Sequence, residues 1–121
     1  MPNVAEIDKA IAAHATWKVR LRTVITTGHS SISVEQVRAD KGCDFGKWLH
    51  GSGAPRGRND ASHAEVTRLH AEFHKAAARV AELALAGKKQ EAEAALGAFG
   101  EFGAASSKLT AAMVNWKKQG P

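Results

Sequence analysis

Two histidines four residues apart are the first feature of this sequence that could bind a metal. His70 and His74 are about one helical turn apart, so a helix carrying them places both imidazoles on one face. That spacing allows one ion to be held by both rings. Leu69 and Phe73 flank the pair, which puts it at the edge of an apolar face rather than in solvent. The pair alone is not specific, because the same spacing often occurs by chance.

A third histidine and the only cysteine complete a possible ligand set. His14 lies among apolar positions, between Ile11 and Leu21, and a buried imidazole needs partners for its ring nitrogens. With Cys43, three imidazoles and one thiolate form a tetrahedral set typical of Zn²⁺, whereas Mg²⁺ and Ca²⁺ prefer oxygen ligands. Each residue alone has a plainer interpretation, as a hydrogen-bonded core histidine or a small buried cysteine. Together, at inward positions of one helical domain, they favour a metal site.

The elements that must hold these side chains are predicted to be helices. Apolar residues recur at three- and four-residue spacings over about 3–27, 60–86 and 88–118, which predicts three long amphipathic helices. A short helix over about 41–50 carries the cysteine and would be marginal unless it docks on the others. Before it, Val34–Val37 can form a single turn. The fold class is therefore all-α, a four-helix bundle-like arrangement of three long helices and one short one.

The last long helix is unusually weak in its middle. Gly97, Gly100 and Gly103 each cost roughly 1 kcal/mol relative to alanine in a helix interior. Close approach to a neighbouring helix is one reason to accept that cost. We therefore predict one continuous helix here, with Phe99 facing the core.

The three remaining histidines are assigned to positions outside the ligand set. His63 shares a helix face with His70 but lies two turns away, about 10 Å along the axis, which is too far to bind the same ion. We favour a surface position for His63, with a supporting role beside the site as the alternative. His29 and His50 fall in connections and are predicted to be solvated.

Composition and charge limit the class of protein. A length of 121 residues fits one domain, assigned to 1–121, and a single cysteine excludes an intramolecular disulfide. No run approaches the roughly 20 apolar residues of a membrane span, and the N-terminus lacks a secretory signal, so we expect a cytoplasmic protein. The formal net charge of +5 permits a nucleic-acid partner, but the basic residues are scattered among acidic ones, which favours a solvated surface. A small basic helical nucleic-acid-binding protein with structural histidines is the alternative.

Three motifs give the chain a resemblance to a known family. In order and spacing they resemble the signature of the chemoreceptor zinc-binding (CZB) domain family: His14-x-x-Trp17, Cys43-x-Phe45-Gly46-x-Trp48 and His70-x-x-Phe73-His74. The resemblance covers about 8–116. It implies one Zn²⁺ per chain, bound by four side chains: His14, Cys43, His70 and His74. The other motif residues are assigned to packing around the site: Trp17, Phe45, Gly46, Trp48 and Phe73.

The resemblance also implies a function. Four protein ligands leave zinc no open position for a reactive water, and no catalytic triad or phosphate-binding loop is present, so we expect no enzymatic activity. The resemblance implies a regulatory domain of the kind that is attached to bacterial chemotaxis receptors and diguanylate cyclases. The implied signal is zinc itself or an oxidant such as hypochlorous acid acting at Cys43. A homodimer and a signalling output domain or partner protein, in cis or in trans, are further expectations.

Overall fold

Helices form all the regular secondary structure in the part of the chain that the computed structural model describes, residues 4–30, 33–39, 43–51 and 61–118. The all-α prediction is confirmed. These residues contain six helices: α1 (Val4–Thr27), α2 (Val34–Arg38), α3 (Asp44–His50), α4 (Ala61–Leu85), α5 (Lys89–Leu96) and α6 (Glu101–Lys118). None of them combines the length and apolar character that crossing a bilayer requires.

The helix α4 is the central element, because it contacts each of the other five helices. Its buried positions recur at helical spacing. They are Val66, Leu69, Phe73, Ala77, Val80 and Ala84. The small alanine side chains among them allow close approach of the neighbouring helices. Side chains of α1 and α6 meet this face, among them Ile7, Leu21 and Met113. Burying one large apolar side chain contributes about 1.5–3 kcal/mol, so α4 is firmly anchored.

The two longest helices lie close to their predicted bounds. The chain leaves each of them through a glycine with positive φ, Gly28 at 74° and Gly87 at 79°. Only glycine adopts this left-handed conformation without a steric penalty, which explains why both helices stop there. The predicted helix ends at residues 3 and 60 lie outside the described residues.

The prediction of one helix over 88–118 is wrong, because the chain breaks at residues 97–100. Gly97 ends α5, and its carbonyl accepts the N–H of Gly100 at 2.9 Å. A Cβ on Gly100 would collide with the carbonyl of Ala94, so this tight turn requires glycine. The turn places Phe99 on the outside, fully exposed, and not in the core as predicted.

Two short helices lie between α1 and α4. Ser33 caps α2 in a capping box, accepting the N–H of Gln36 at 3.1 Å and donating its own N–H to the Gln36 side chain at 2.9 Å. The predicted turn at Val34–Val37 is thus confirmed as part of α2. The helix α3 begins at Asp44, later than predicted, and Cys43 is its N-cap rather than a residue within it. Residues 41–42 of the predicted helix lie outside the described residues.

Candidate metal centre

Four side chains from three elements converge at one point beside α4. His14 comes from α1, Cys43 from the start of α3, and His70 and His74 from adjacent turns of α4. The Nε2 atoms of His14 and His74 each lie 3.1 Å from Nε2 of His70, and Sγ of Cys43 lies 3.3 Å from it. One ligand atom from each residue lies within 4.8 Å of all the others. The structure therefore brings together the four residues that the sequence singles out.

The spacing of these donor atoms is close to that of a tetrahedral zinc site. Zn–N bonds of about 2.0–2.1 Å and a Zn–S bond of about 2.3 Å place tetrahedral ligand atoms about 3.3–3.6 Å apart. The observed separations from Nε2 of His70 are slightly shorter, at 3.1–3.3 Å, and all separations within the set are at most 4.8 Å, so modest shifts of the side chains would accommodate the ion. The nitrogen and sulfur donor set also matches zinc, so the residues present fit the ion.

Two of the rings are oriented by backbone carbonyls on their far side. Nδ1 of His14 donates to the carbonyl of Ala10 at 2.7 Å, and Nδ1 of His74 donates to the carbonyl of Val37, in α2, at 2.9 Å. A carbonyl only accepts, so both rings carry their proton on Nδ1. Their Nε2 lone pairs consequently face Nε2 of His70, which is the orientation of metal-bound histidines.

Burial keeps the imidazoles neutral. Burial, together with the smaller effect of the neighbouring histidines, lowers the pKa of His14 to about 4 and that of His70 to about 2. A neutral His70 has one proton for its two nitrogens, so its Nε2 can donate to His14 or to His74 but not to both. A cation at this point would pair with all three lone pairs, so the cluster fits a metal ion.

The sulfur ligand has a different environment from the nitrogen ligands. Sγ of Cys43 accepts the N–H of Gly46 at 3.3 Å, at the N-terminus of α3. That N–H and the helix terminus favour the thiolate, which is the form that binds metal. Cys43 is half-buried, whereas His14, His70 and His74 are at most 5% exposed. Cys43 and His14 line a cleft of about 300 Å³ bounded mainly by α1, and Cys43 is the more exposed of the two.

Aromatic side chains cover most of the remaining surface of the cluster. The ring of Phe45 lies 5.2 Å from that of His70, and the ring of Phe73 lies 5.0 Å from that of His14. Trp17 contacts His74 at 5.9 Å. These rings exclude water from the nitrogen donors.

The tryptophan of the short helix lies one layer further out. Trp48 stacks on Phe45 at 5.7 Å and packs against Trp116 of α6 at 5.6 Å. Trp48 therefore acts on the cluster through Phe45, and it joins α3 to the last helix. No sequence motif pointed to Trp116, because its role depends on where α3 docks.

The surface assignment of His63 is wrong. Its side chain is half-buried, and Nε2 donates to the carbonyl of Leu49 at the end of α3, at 2.9 Å. Its ring also packs against Trp116 at 5.8 Å. His63 thus holds the far end of α3 on α4. His29 and His50 are exposed, as predicted, but His50 is the last residue of α3 and not part of a connection.

Comparison with known proteins gives one match. Residues 14–81, more than half of the chain, match the family model described as the chemoreceptor zinc-binding domain. No curated protein and no solved structure is significantly similar. The matched segment begins at His14 and contains the other three residues of the cluster.

Proposed function

The chain belongs to the chemoreceptor zinc-binding domain family, and on that premise we propose that it is a signalling domain that binds one zinc ion per chain through His14, Cys43, His70 and His74. The observation that carries the proposal is the convergence of these four ligand atoms within 4.8 Å, between three helices. The family is a regulatory one and not a catalytic one. Zinc bound here would supply a cross-link between α1, α3 and α4 and hold the cysteine as thiolate.

We propose further that Cys43 is the point at which a signal acts. It is the half-buried member of the set and opens on the cleft, so a small oxidant meets it before the buried imidazoles. With hypochlorous acid, the Sγ thiolate attacks chlorine and displaces hydroxide, and water then displaces chloride to leave a sulfenic acid. Sulfur loses two electrons, which the chlorine takes up as chloride. A sulfenic acid is a poorer metal ligand than a thiolate, so oxidation weakens the site.

The seven-residue helix α3 is the element that such a change would release. A helix this short is not stable alone, and it is held by the cluster at one end and by packing at the other. Leu49 is fully buried, and Trp48 lies against Trp116 of α6. Loss of the bond at Cys43 would therefore loosen α3 and change the packing around Trp116. We propose that α6 passes this change to a signalling partner, in cis or in trans, of the chemotaxis receptor or diguanylate cyclase type.

A cytoplasmic location and a homodimer complete the proposal. Both are expectations for a bacterial signalling domain of this family. Light scattering of the purified protein tests the dimer, and a mass of one chain would contradict it.

Metal analysis tests the zinc site. Purified wild-type protein should hold about one zinc per chain, and His70→Ala should hold much less, because its Nε2 is the ligand atom nearest to the other three. His29→Ala removes an exposed histidine and should keep its zinc. Wild-type protein without zinc, or equal zinc in all three proteins, would contradict the proposal.

Oxidation of the zinc-loaded protein tests the signal. Equimolar hypochlorous acid should modify Cys43, release zinc and accelerate amide hydrogen exchange in α3, while the core of α4 stays protected. Cys43→Ser, which binds zinc more weakly and is therefore loaded at a zinc concentration that saturates it, should show none of these changes on oxidant addition. If the oxidant releases zinc equally from Cys43→Ser, or leaves Cys43 unmodified, the signal is zinc supply and not oxidation.

The nucleic-acid alternative is less favoured by the charge distribution. Exposed basic side chains pair with neighbouring carboxylates, as Arg38 does with Glu35 and Glu82, and Lys117 with Asp8. Salt-sensitive DNA binding by zinc-free protein would revive this alternative.

A further inference from the structure

Two buried polar atoms of α4 have no hydrogen-bond partner among the described residues, although each lies beside the metal centre or one turn from it. They are Oγ1 of Thr67 and Nδ1 of His70. Buried polar atoms are paired in the great majority of cases, so each unpaired one requires an explanation. The cluster accounts for Nε2 of His70 and leaves Nδ1 unexplained.

The helix geometry places these two side chains on one face, although the two atoms do not hydrogen-bond to each other in this structure. Thr67 is three residues before His70, and residues at this spacing share a helix face. Long side chains in a helix lean toward its N-terminus, so the ring of His70 leans over the turn that contains Thr67.

The hydroxyl of Thr67 also differs from three threonine hydroxyls of α1. Those of Thr16, Thr23 and Thr27 donate to backbone carbonyls three or four residues earlier, at 2.7, 3.1 and 2.8 Å. The buried hydroxyl of Thr67 makes no such bond. It is free to pair with another group.

His70 differs from the other two imidazoles in the same way. His14 and His74 donate their Nδ1–H groups to carbonyls, as metal-bound histidines ordinarily do. With Nε2 of His70 bound to a metal, its single proton must lie on Nδ1 and needs an acceptor. Without a metal, that proton lies on Nε2 and donates to His14 or His74, and Nδ1 becomes an acceptor. An unpaired buried acceptor is tolerated better than an unpaired N–H, so Nδ1 needs a partner chiefly when the metal is bound.

We propose that Thr67 is a positioning residue for the metal centre, whose hydroxyl accepts the Nδ1–H of His70 through one buried water. This inference rests on the proposed zinc site. Zinc binding moves the proton of His70 from Nε2 to Nδ1, the ring stays neutral, and Thr67 stabilises the tautomer that zinc requires. His70 is then the ligand that changes tautomer, whereas the carbonyls of Ala10 and Val37 fix the tautomers of the other two.

Two substitutions separate this role from packing. Thr67→Val keeps the shape of the side chain and removes the hydroxyl, and Thr67→Ser keeps the hydroxyl. In competition with a chelator, Thr67→Val should bind zinc about tenfold more weakly than wild type, the lower end of the range for partners of metal ligands. Thr67→Ser should bind like wild type, and the matched control Thr23→Val, at an exposed site, should also be unchanged.

The nitrogen-15 resonances of His70 provide the second measurement. In wild-type protein, zinc should move the proton of His70 from Nε2 to Nδ1. As a control for packing, zinc-free Thr67→Val should unfold at the same temperature as zinc-free wild type. If Thr67→Val binds zinc like wild type, or Thr67→Ser is equally weakened, the inference is wrong while the zinc site stands. If wild type takes up no zinc, the proposed function itself fails.

Discussion

His70 and His74 lie in the middle of the 25-residue helix α4, whereas Cys43 lies just before the seven-residue helix α3. The first pair is fully buried in the element that every other helix contacts. The cysteine is half-buried, and its helix is held by a few side chains such as Leu49 and Trp48. The two parts of the site therefore lie in elements of very different local stability. We call the part on α4, with His70 and His74, the anchored half, and the part at the start of α3, with Cys43, the releasable half.

Matched phenylalanines on the two halves give the largest expected contrast. Phe73 in α4 and Phe45 in α3 both contact ligand rings. In zinc-free protein, Phe73→Ala should lower the free energy of unfolding by about 3–5 kcal/mol, because it opens a cavity in the main core. Phe45→Ala should cost much less, since α3 can detach without unfolding the rest. Urea denaturation of both variants measures the difference, and equal losses would show that α3 belongs to the main cooperative unit.

Acidification should act on the histidine half. The pKa of His14 is lowered to about 4 in the folded protein, against about 6.5 in the unfolded chain, so the unfolded state takes up protons first as the pH falls. Zinc-free protein should therefore be most stable above pH 6.5 and lose stability toward pH 4. The slope is at most about 1.4 kcal/mol per pH unit for each such histidine, about 3 kcal/mol in all for His14. The depressed pKa of His70 adds to this loss.

Urea denaturation at intervals between pH 7 and pH 4 measures that slope. His14→Leu should have a shallower slope than wild type, because one of the contributing imidazoles is gone. A stability that is flat down to pH 5 would mean that the imidazoles are not held neutral.

Replacing the cysteine should separate capping from metal binding. Sγ of Cys43 caps α3 by accepting the N–H of Gly46. Cys43→Ser keeps a capping oxygen and Cys43→Ala does not, so α3 should be less stable in the alanine variant by about 1 kcal/mol. Hydrogen exchange of the α3 amides reports this difference, and both variants should lose zinc affinity to a similar degree. If α3 exchanges at the same rate in both, the cap contributes nothing.

Removing an ion pair on α4 should give the smallest effect. Arg38 of α2 pairs with Glu82 at 3.0 Å, and both side chains are more than a third exposed, so Glu82→Gln should cost less than about 1 kcal/mol. Zinc affinity should stay within about twofold, because Val37 is also held by its own burial. Glu72→Gln, which breaks a pair within α4, is the matched control. A large loss of zinc affinity in Glu82→Gln alone would place α2 in the releasable half.

The sequence predicts the anchored half well. Apolar spacing locates α1 and α4, because a long helix repeats its pattern many times. The four members of the cluster are identifiable because their side-chain types have few common roles together. The residues themselves favour a metal cluster, and the resemblance to the family implies its four members.

Interactions made by backbone groups, or created by the docking of one helix on another, cannot be predicted from the side-chain pattern. The carbonyls of Ala10 and Val37 orient two imidazoles, yet a carbonyl is present at every residue and leaves no mark in the sequence. The contact of His63 with the end of α3 exists only because α3 docks where it does. The break before α6 shows the same limit, since glycine spacing alone does not distinguish a turn from close packing.

The origin of the four ligands in α1, α3 and α4 has a consequence for the unfolded chain. An ion that joins residues 14, 43 and 70 closes two consecutive loops of roughly 30 residues each. Closing one loop of that length lowers the entropy of the unfolded chain, which stabilises the folded state by about 3–4 kcal/mol. In a chain with one cysteine, the metal thus takes the part that disulfides play in small secreted domains. Its strength follows free zinc concentration, so the unfolding midpoint should rise with each tenfold increase in zinc. Such a cross-link resists reducing agents and yields to a chelator.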